Sequence, residues 1–141
     1  MEIIIGKTAG FCGGVRNAVI KAKEAVMKER NVYCLGELVH NEQATKKLEE
    51  QGMKTITNIE EAEEGSSVIF RAHGEPPATY EKAKQKNITV LDLSCTKVLA
   101  IHKMAEEYVK KGHYIIYIAE KRTPRNNWNI WMLWRKSKYY K

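Results

Sequence analysis

The sequence predicts an α/β fold: a mostly parallel sheet with helices on both faces. Short β-branched and apolar runs alternate along the chain with longer segments whose apolar residues recur at helical spacing, and strands separated by helices pair in parallel. The chain has 141 residues, 43% of them hydrophobic and 29% charged, which is ordinary globular composition and enough for one modest core. The segments that follow the predicted strand ends carry two cysteines and two histidines. In open parallel sheets, ligands collect beyond the carboxyl ends of the strands.

The elements follow in order. Met1–Ile5 is short and apolar and reads as a buried strand. From Gly14 to Arg30, Val15, Ala18, Val19, Ala22, Ala25 and Val26 fall on one helical face. Asn31–Leu35 is the next strand. Asn41 can cap a helix running to Gln51, with Gly52 as its stop. Lys54–Thr57 and Ser67–Arg71 read as strands, and Pro76-Pro77 opens a helix to about Lys86, since proline is tolerated in a first turn. Thr89–Leu93 is a further strand, Lys97–Lys111 a helix ended by Gly112, and Tyr114–Ala119 a last strand.

Charge and cysteine usage narrow the function classes. The formal net charge is +7, but seven of the 24 Lys and Arg lie between Lys121 and Lys141 with no acid among them, leaving 17 bases against 17 acids in the body. The basicity belongs to the tail, and no nucleic-acid surface is expected on the body. A basic nucleic-acid-binding protein rests on the tail alone and is the weakest reading. No apolar run is long enough to span a bilayer, and no basic-then-apolar leader is present, so a cytoplasmic chain with no membrane partner is expected. Three cysteines, at 12, 34 and 95, are too few and too scattered for a disulfide scaffold, which leaves metal binding, catalysis or burial.

The most informative thiol is Cys12, in Gly10-Phe11-Cys12-Gly13-Gly14-Val15, between the first apolar run and the first helix. Flanking glycines let the backbone take positive φ and approach a bulky ligand, and the positive end of a helix favours thiolate. The alternative is a small hydrophobe buried on a tight turn. Cys95 repeats the context, in Ser94-Cys95-Thr96 between a strand and a helix, so the two thiols could converge on one soft metal centre. Two cysteines do not complete an iron–sulfur site, and no CxxC suggests structural zinc. Cys34 lies mid-strand and is expected in the core. His40, in Gly36-Glu37-Leu38-Val39-His40-Asn41, and His73, in Arg71-Ala72-His73-Gly74-Glu75-Pro76-Pro77, each precede a helix start, where backbone N–H groups and an imidazole can hold a phosphate or diphosphate. A capping or surface role is the alternative for each; the rim shared with both cysteines favours the anion. His102 and His113 fall inside or at the end of a helix, and the charges of Lys46–Glu50 and Glu60–Glu64 read as solvated faces.

Taken together, Gly10-Phe11-Cys12-Gly13-Gly14-Val15, Gly36-Glu37-Leu38-Val39-His40-Asn41, Arg71-Ala72-His73-Gly74 and Asp92-Leu93-Ser94-Cys95-Thr96-Lys97-Val98 resemble the 4-hydroxy-3-methylbut-2-enyl diphosphate reductase family, in the family's order and over roughly Met1 to Ala119. Thr96 departs from the proline usual there. The resemblance implies a cysteine-ligated 4Fe-4S cluster, with Cys12 and Cys95 matching the first two cluster cysteines. It matches His40 and His73 to the histidines that hold the substrate diphosphate. It also implies reductive removal of the allylic hydroxyl to give isopentenyl and dimethylallyl diphosphates in non-mevalonate isoprenoid biosynthesis, with an electron donor such as ferredoxin or flavodoxin.

The same resemblance sets expectations for the organisation of the chain. The family has three similar α/β units around a central site; residues 1–95 match the first, 96–120 the start of the second, and 121–141 form an aberrant, basic, Trp-rich tail. The third cluster cysteine is absent. A His-Pro-Glu segment carrying the proton-relay glutamate is expected after Tyr114–Ala119, and Thr123-Pro124-Arg125 stands in its place, so no catalytic residue is retained. Residues 123–129 can be encoded so that a one-base shift reads His-Pro-Glu-Ile-Ile-Gly-Thr, which points to a one-base insertion near Glu120-Lys121 and a truncated, inactive chain. The rival expectation is a non-catalytic diphosphate- or metal-binding α/β fragment.

Overall fold

The computed structural model describes residues 2–4, 6 and 9–116. A four-stranded, all-parallel sheet is built from β1 (Val32–Leu35), β2 (Met53–Ile56), β3 (Ser67–Phe70) and β4 (Thr89–Asp92), in the order β2-β1-β3-β4. The helices α1 (Gly13–Lys28), α2 (Glu42–Glu49), α3 (Pro77–Gln85) and α4 (Thr96–Lys110) alternate with the strands, and a single 3-10 turn covers Ile59–Glu61. The predicted α/β architecture is present, with boundaries within two residues for most elements.

The two-residue period of the strands divides the core. Val32, Cys34 and Ile69 point to one face and pack with Ala18, Ala22 and Ala25 of α1 and Leu48 of α2. Tyr33, Leu35, Val68 and Phe70 point to the other and pack with Ile56, Ile59, Ala62, Ala83 and Ile88. Both faces of the central strands β1 and β3 are therefore dry, which is why they read as unbroken apolar runs rather than alternating ones. The alanines of α1 let that helix lie close to the sheet. Phe70 is fully buried, with the Tyr80 ring edge-on at 4.8 Å.

Two expected strands are corrected. Ile3 and Ile4 are 73% and 84% exposed and are not in a strand; Met1 and Ile5 lie outside the described residues. An apolar triplet without periodicity becomes a strand only where a sheet edge receives it, and β4 ends this sheet with no neighbour beyond it among the described residues. At the other end of the chain, 114–116 is not strand, Tyr114 and Ile116 are exposed, and 117–119 lies outside the described residues, as does the tail 121–141. The final helix α4 turns Val98 and His102 inward and leaves Ile101, Met104 and Tyr108 exposed. No helix among the described residues is long and apolar enough to cross a membrane.

Candidate functional site

All four strands point the same way, so the segments that leave their carboxyl ends gather on one rim. Cys12 is the N-cap residue of α1 and is exposed. Cys95 is the N-cap residue of α4 and is partly buried. The two helix starts meet: a Cβ added to Gly14, in the first turn of α1, would lie 3.3 Å from the Cys95 Sγ. Gly13 and Gly14 are helical, and of the glycines around Cys12 only Gly10 has a positive φ, +133°. Gly10 thus takes the positive φ that the sequence allows, while Gly13 and Gly14 provide room at a helix start. The first turn of α1 and the strand end that leads to Cys95 line a cleft of about 410 Å³, together with Asn17, Lys21 and Asp92.

The two histidines come together. His40 precedes α2, whose N-cap Asn41 accepts the Ala44 N–H at 2.9 Å, and its ring stacks on that of His73 with centroids 5.4 Å apart and 29° between planes. His40 is exposed, and its Nδ1 lies 3.9 Å from Glu37 Oε2. Neither sequence spacing nor periodicity could have placed these rings in contact; the adjacency of β1 and β3 does so.

The segment 71–75, which leaves β3, is the hub of the rim. The Cys95 N–H donates to Ala72 O at 3.0 Å, extending the β3–β4 ladder and tying Cys95 beside His73. The Gly74 N–H donates to Arg71 O at 3.1 Å and closes a tight turn under His73, with Gly74 at φ +76°. Asp92, at the end of β4, accepts the Tyr80 O–H at 2.6 Å and the Ser94 N–H at 2.9 Å, fixing the approach to Cys95. Burial and the neighbouring Asp92 carboxylate hold the Tyr80 phenol protonated, well above its usual range. His102 reaches the same hub from α4: a Cβ on Gly74 would lie 3.2 Å from its Cε1, and burial lowers its pKa from the ordinary value.

Sequence reasoning passed over several members of this rim. His102 falls within a predicted helix, and the signal for it is the spacing of Val98, His102, Ala105 and Val109, which mark the inward face of α4. Arg71 and Glu75 flank His73 in the motif itself, and a charge placed directly after a fully buried strand is the signal that could have found them. Cys34 lies as expected: it is fully buried, and burial pushes its thiol up to about 12, so it stays protonated and offers no ligand. No group of three metal-ligating side chains converges among the described residues.

The chain matches the family model described as LytB protein over residues 3–126. The chain belongs to the LytB family. Its relatives include the 4-hydroxy-3-methylbut-2-enyl diphosphate reductases of Clostridioides difficile, 40% identical over 133 residues, and of Caldanaerobacter subterraneus, 38% identical over 136. Each match covers 91% of this chain and 48% or 47% of the relative, so the chain spans about half the length of the curated relatives it matches. Among solved structures, one of (E)-4-hydroxy-3-methyl-but-2-enyl diphosphate reductase, the terminal enzyme of the non-mevalonate pathway, superposes with a TM-score of 0.81 at 34% identity, over 94% of this chain and 47% of that one. The corresponding reductase of Plasmodium falciparum superposes with a TM-score of 0.84 at 27% identity, over 92% of this chain and 41% of that one. The two solved structures share the fold of this chain, and the relatives are all named as reductases of one allylic diphosphate.

Proposed function

We propose that the chain carries one share of an allylic diphosphate reductase site, in which His40 and His73 hold the diphosphate of 4-hydroxy-3-methylbut-2-enyl diphosphate and Cys12 and Cys95 hold two corners of a 4Fe-4S cluster. The observation that carries this reading is the stacked His40–His73 pair on the hub that also ties down Cys95. Two imidazoles with centroids 5.4 Å apart can each donate an N–H to a different oxygen of one diphosphate and, when protonated, neutralise part of its charge. The names of the LytB relatives supply the substrate and the reaction.

The reaction breaks the allylic C–O bond, takes up two electrons and two protons, and releases water with isopentenyl and dimethylallyl diphosphates, the five-carbon units of isoprenoid biosynthesis. An electron carrier such as ferredoxin or flavodoxin supplies the electrons, and a cytoplasmic setting, where thiols stay reduced, goes with this reading. A 4Fe-4S cluster, when bound, supplies redox chemistry and a Lewis-acidic iron.

The donor set fits that group only in part. Cys12 and Cys95 stand at two helix starts open to a ligand, whereas the third thiol, Cys34, is sealed in the core. Two thiolates leave two irons of a cubane without a protein ligand, and the proton-relay glutamate has no counterpart in the sequence. The 141-residue chain by itself is therefore read as inactive. A second reading, a diphosphate- or metal-binding α/β fragment without catalysis, is favoured by that same two-thiol set.

Anaerobic reconstitution of the chain with iron and sulfide, followed by assay with a strong one-electron donor and the allylic diphosphate, tests both readings. Iron uptake should fall in Cys12→Ser and Cys95→Ser and hold in Cys34→Ser, with no five-carbon product formed. Equal iron in all three variants would remove the cluster assignment, and steady turnover would remove the claim of inactivity.

A further inference from the structure

The stacked histidines belong to two different connections. His40 sits on the segment between β1 and α2, which opens at Gly36; His73 sits on the segment after β3, between Arg71 and Glu75. One side-chain pair reaches across both. Arg71 Nε lies 3.7 Å from Glu75 Oε1, and their side chains are only 21% and 12% exposed. The other face of the guanidinium lies on Gly36: a Cβ there would fall 2.6 Å from Arg71 Cζ, and Gly36 is at φ +73°. The backbone of Gly36 is itself pinned by its N–H to Ile56 O at 2.7 Å.

This pair differs from the exposed helix-face pairs Lys46–Glu42 and Lys110–Glu106, whose side chains are mostly solvated and which tie together only residues of one helix. Withdrawing a guanidinium and a carboxylate from water costs about as much as their attraction returns, so a half-buried pair adds little net stability and is better understood by what it holds in place. Burial raises the Glu75 carboxyl from its ordinary range, and the Arg71 guanidinium opposes that rise.

We propose that the Arg71–Glu75 pair, seated on the Cβ-free face of Gly36, is a positioning device that sets the spacing of the His40 and His73 imidazoles. It fixes the turn beneath His73 at both ends and presses that turn against the residue from which the His40 segment starts. The two rings then reach a diphosphate already spaced, and binding need not order them. This inference rests on the reading of His40 and His73 as diphosphate ligands.

The test uses the full chain, with NMR of the ring protons and inorganic diphosphate as the probe. Native protein should show a nuclear Overhauser effect between the His40 and His73 rings before any ligand is added. In Arg71→Gln and in the shape-preserving Glu75→Gln, that effect should weaken severalfold and the diphosphate Kd should rise about tenfold, a typical coupling between two sites. Each single variant leaves a largely buried charged group without its partner and should lower Tm by several degrees while staying folded. In the double variant the ring–ring effect and the Kd should be no worse than in either single one. An unchanged ring–ring effect and Kd in folded variants would overturn the proposal. So would unfolding of both variants, since the pair would then serve stability. A ring–ring effect in native protein that does not bind diphosphate would overturn the ligand reading instead and leave the spacing role to be judged on the ring–ring effect alone.

Discussion

Gly36 and Gly65 offer a comparison in which one structural term can be isolated. Both have φ +73°, but a Cβ on Gly65 meets open space, whereas one on Gly36 meets the Arg71 guanidinium. Placing alanine in the left-handed region costs about 1–2 kcal/mol, and stiffening the unfolded chain returns about 0.4–1 kcal/mol, so Gly65→Ala should destabilise by about 1 kcal/mol. Gly36→Ala carries the same backbone cost and also pushes the guanidinium away from Glu75. A lost partner of a buried charged group costs about 1.5–3 kcal/mol. At 3.7 Å and with some solvent access, the lower part of that range applies here. The total for Gly36→Ala is then about 2–3 kcal/mol. Urea denaturation followed by circular dichroism measures both variants. In an Arg71→Ala background, the cost of Gly36→Ala should fall to that of Gly65→Ala. Equal costs for the two glycines in the native background would refute the reasoning, because the guanidinium would then have no hold on Gly36.

Three further outcomes are expected. Asn41→Ala removes the acceptor of the Ala44 N–H from an eight-residue helix and should cost about 1 kcal/mol in denaturation, with the largest amide shifts around His40. The pKa of His102 is lowered by burial, so below its ordinary value of 6.5 the unfolded chain binds more protons than the folded one; stability should fall as pH drops below about 6.5, and His102→Asn should remove that part of the loss in melts from pH 7 to 5. Iodoacetamide at pH 8 should label exposed Cys12 long before Cys34, whose thiol is held near 12 in the core, with peptide mass spectrometry reading the sites.

Much of the fold was legible because the strands are short apolar runs and the helices between them keep a clear period. Pro77 and Asn41 marked helix starts through local chemistry that needs no tertiary context. Ile3 and Ile4 misled for the opposite reason: whether an apolar triplet is buried depends on a neighbouring strand, which no local pattern reports. At the site, His40, His73 and Cys95 follow strand ends that the sequence marks, whereas Cys12 follows no strand among the described residues and comes to the rim through the first turn of α1, where Gly14 faces the Cys95 thiol. The contacts that join these segments were not legible, because His40 meets His73, Cys95 meets Ala72 and Arg71 meets Gly36 only through the order of strands in the sheet.

The parallel sheet also dictates the sequence of events in folding. Val32 pairs with Met53 on one side and with Ser67 on the other, so β1 is shared by two ladders, and its pairing with β3 must enclose α2, β2 and the 3-10 turn. Loop-closure entropy rises with the length enclosed, and contacts distant in sequence slow folding. The β1–β2 and β3–β4 crossovers are short and can form as separate halves, each with a helix to shield one side. Joining β1 to β3 closes the longest of the three pairings, and the His40–His73 contact, which bridges those two halves, requires it.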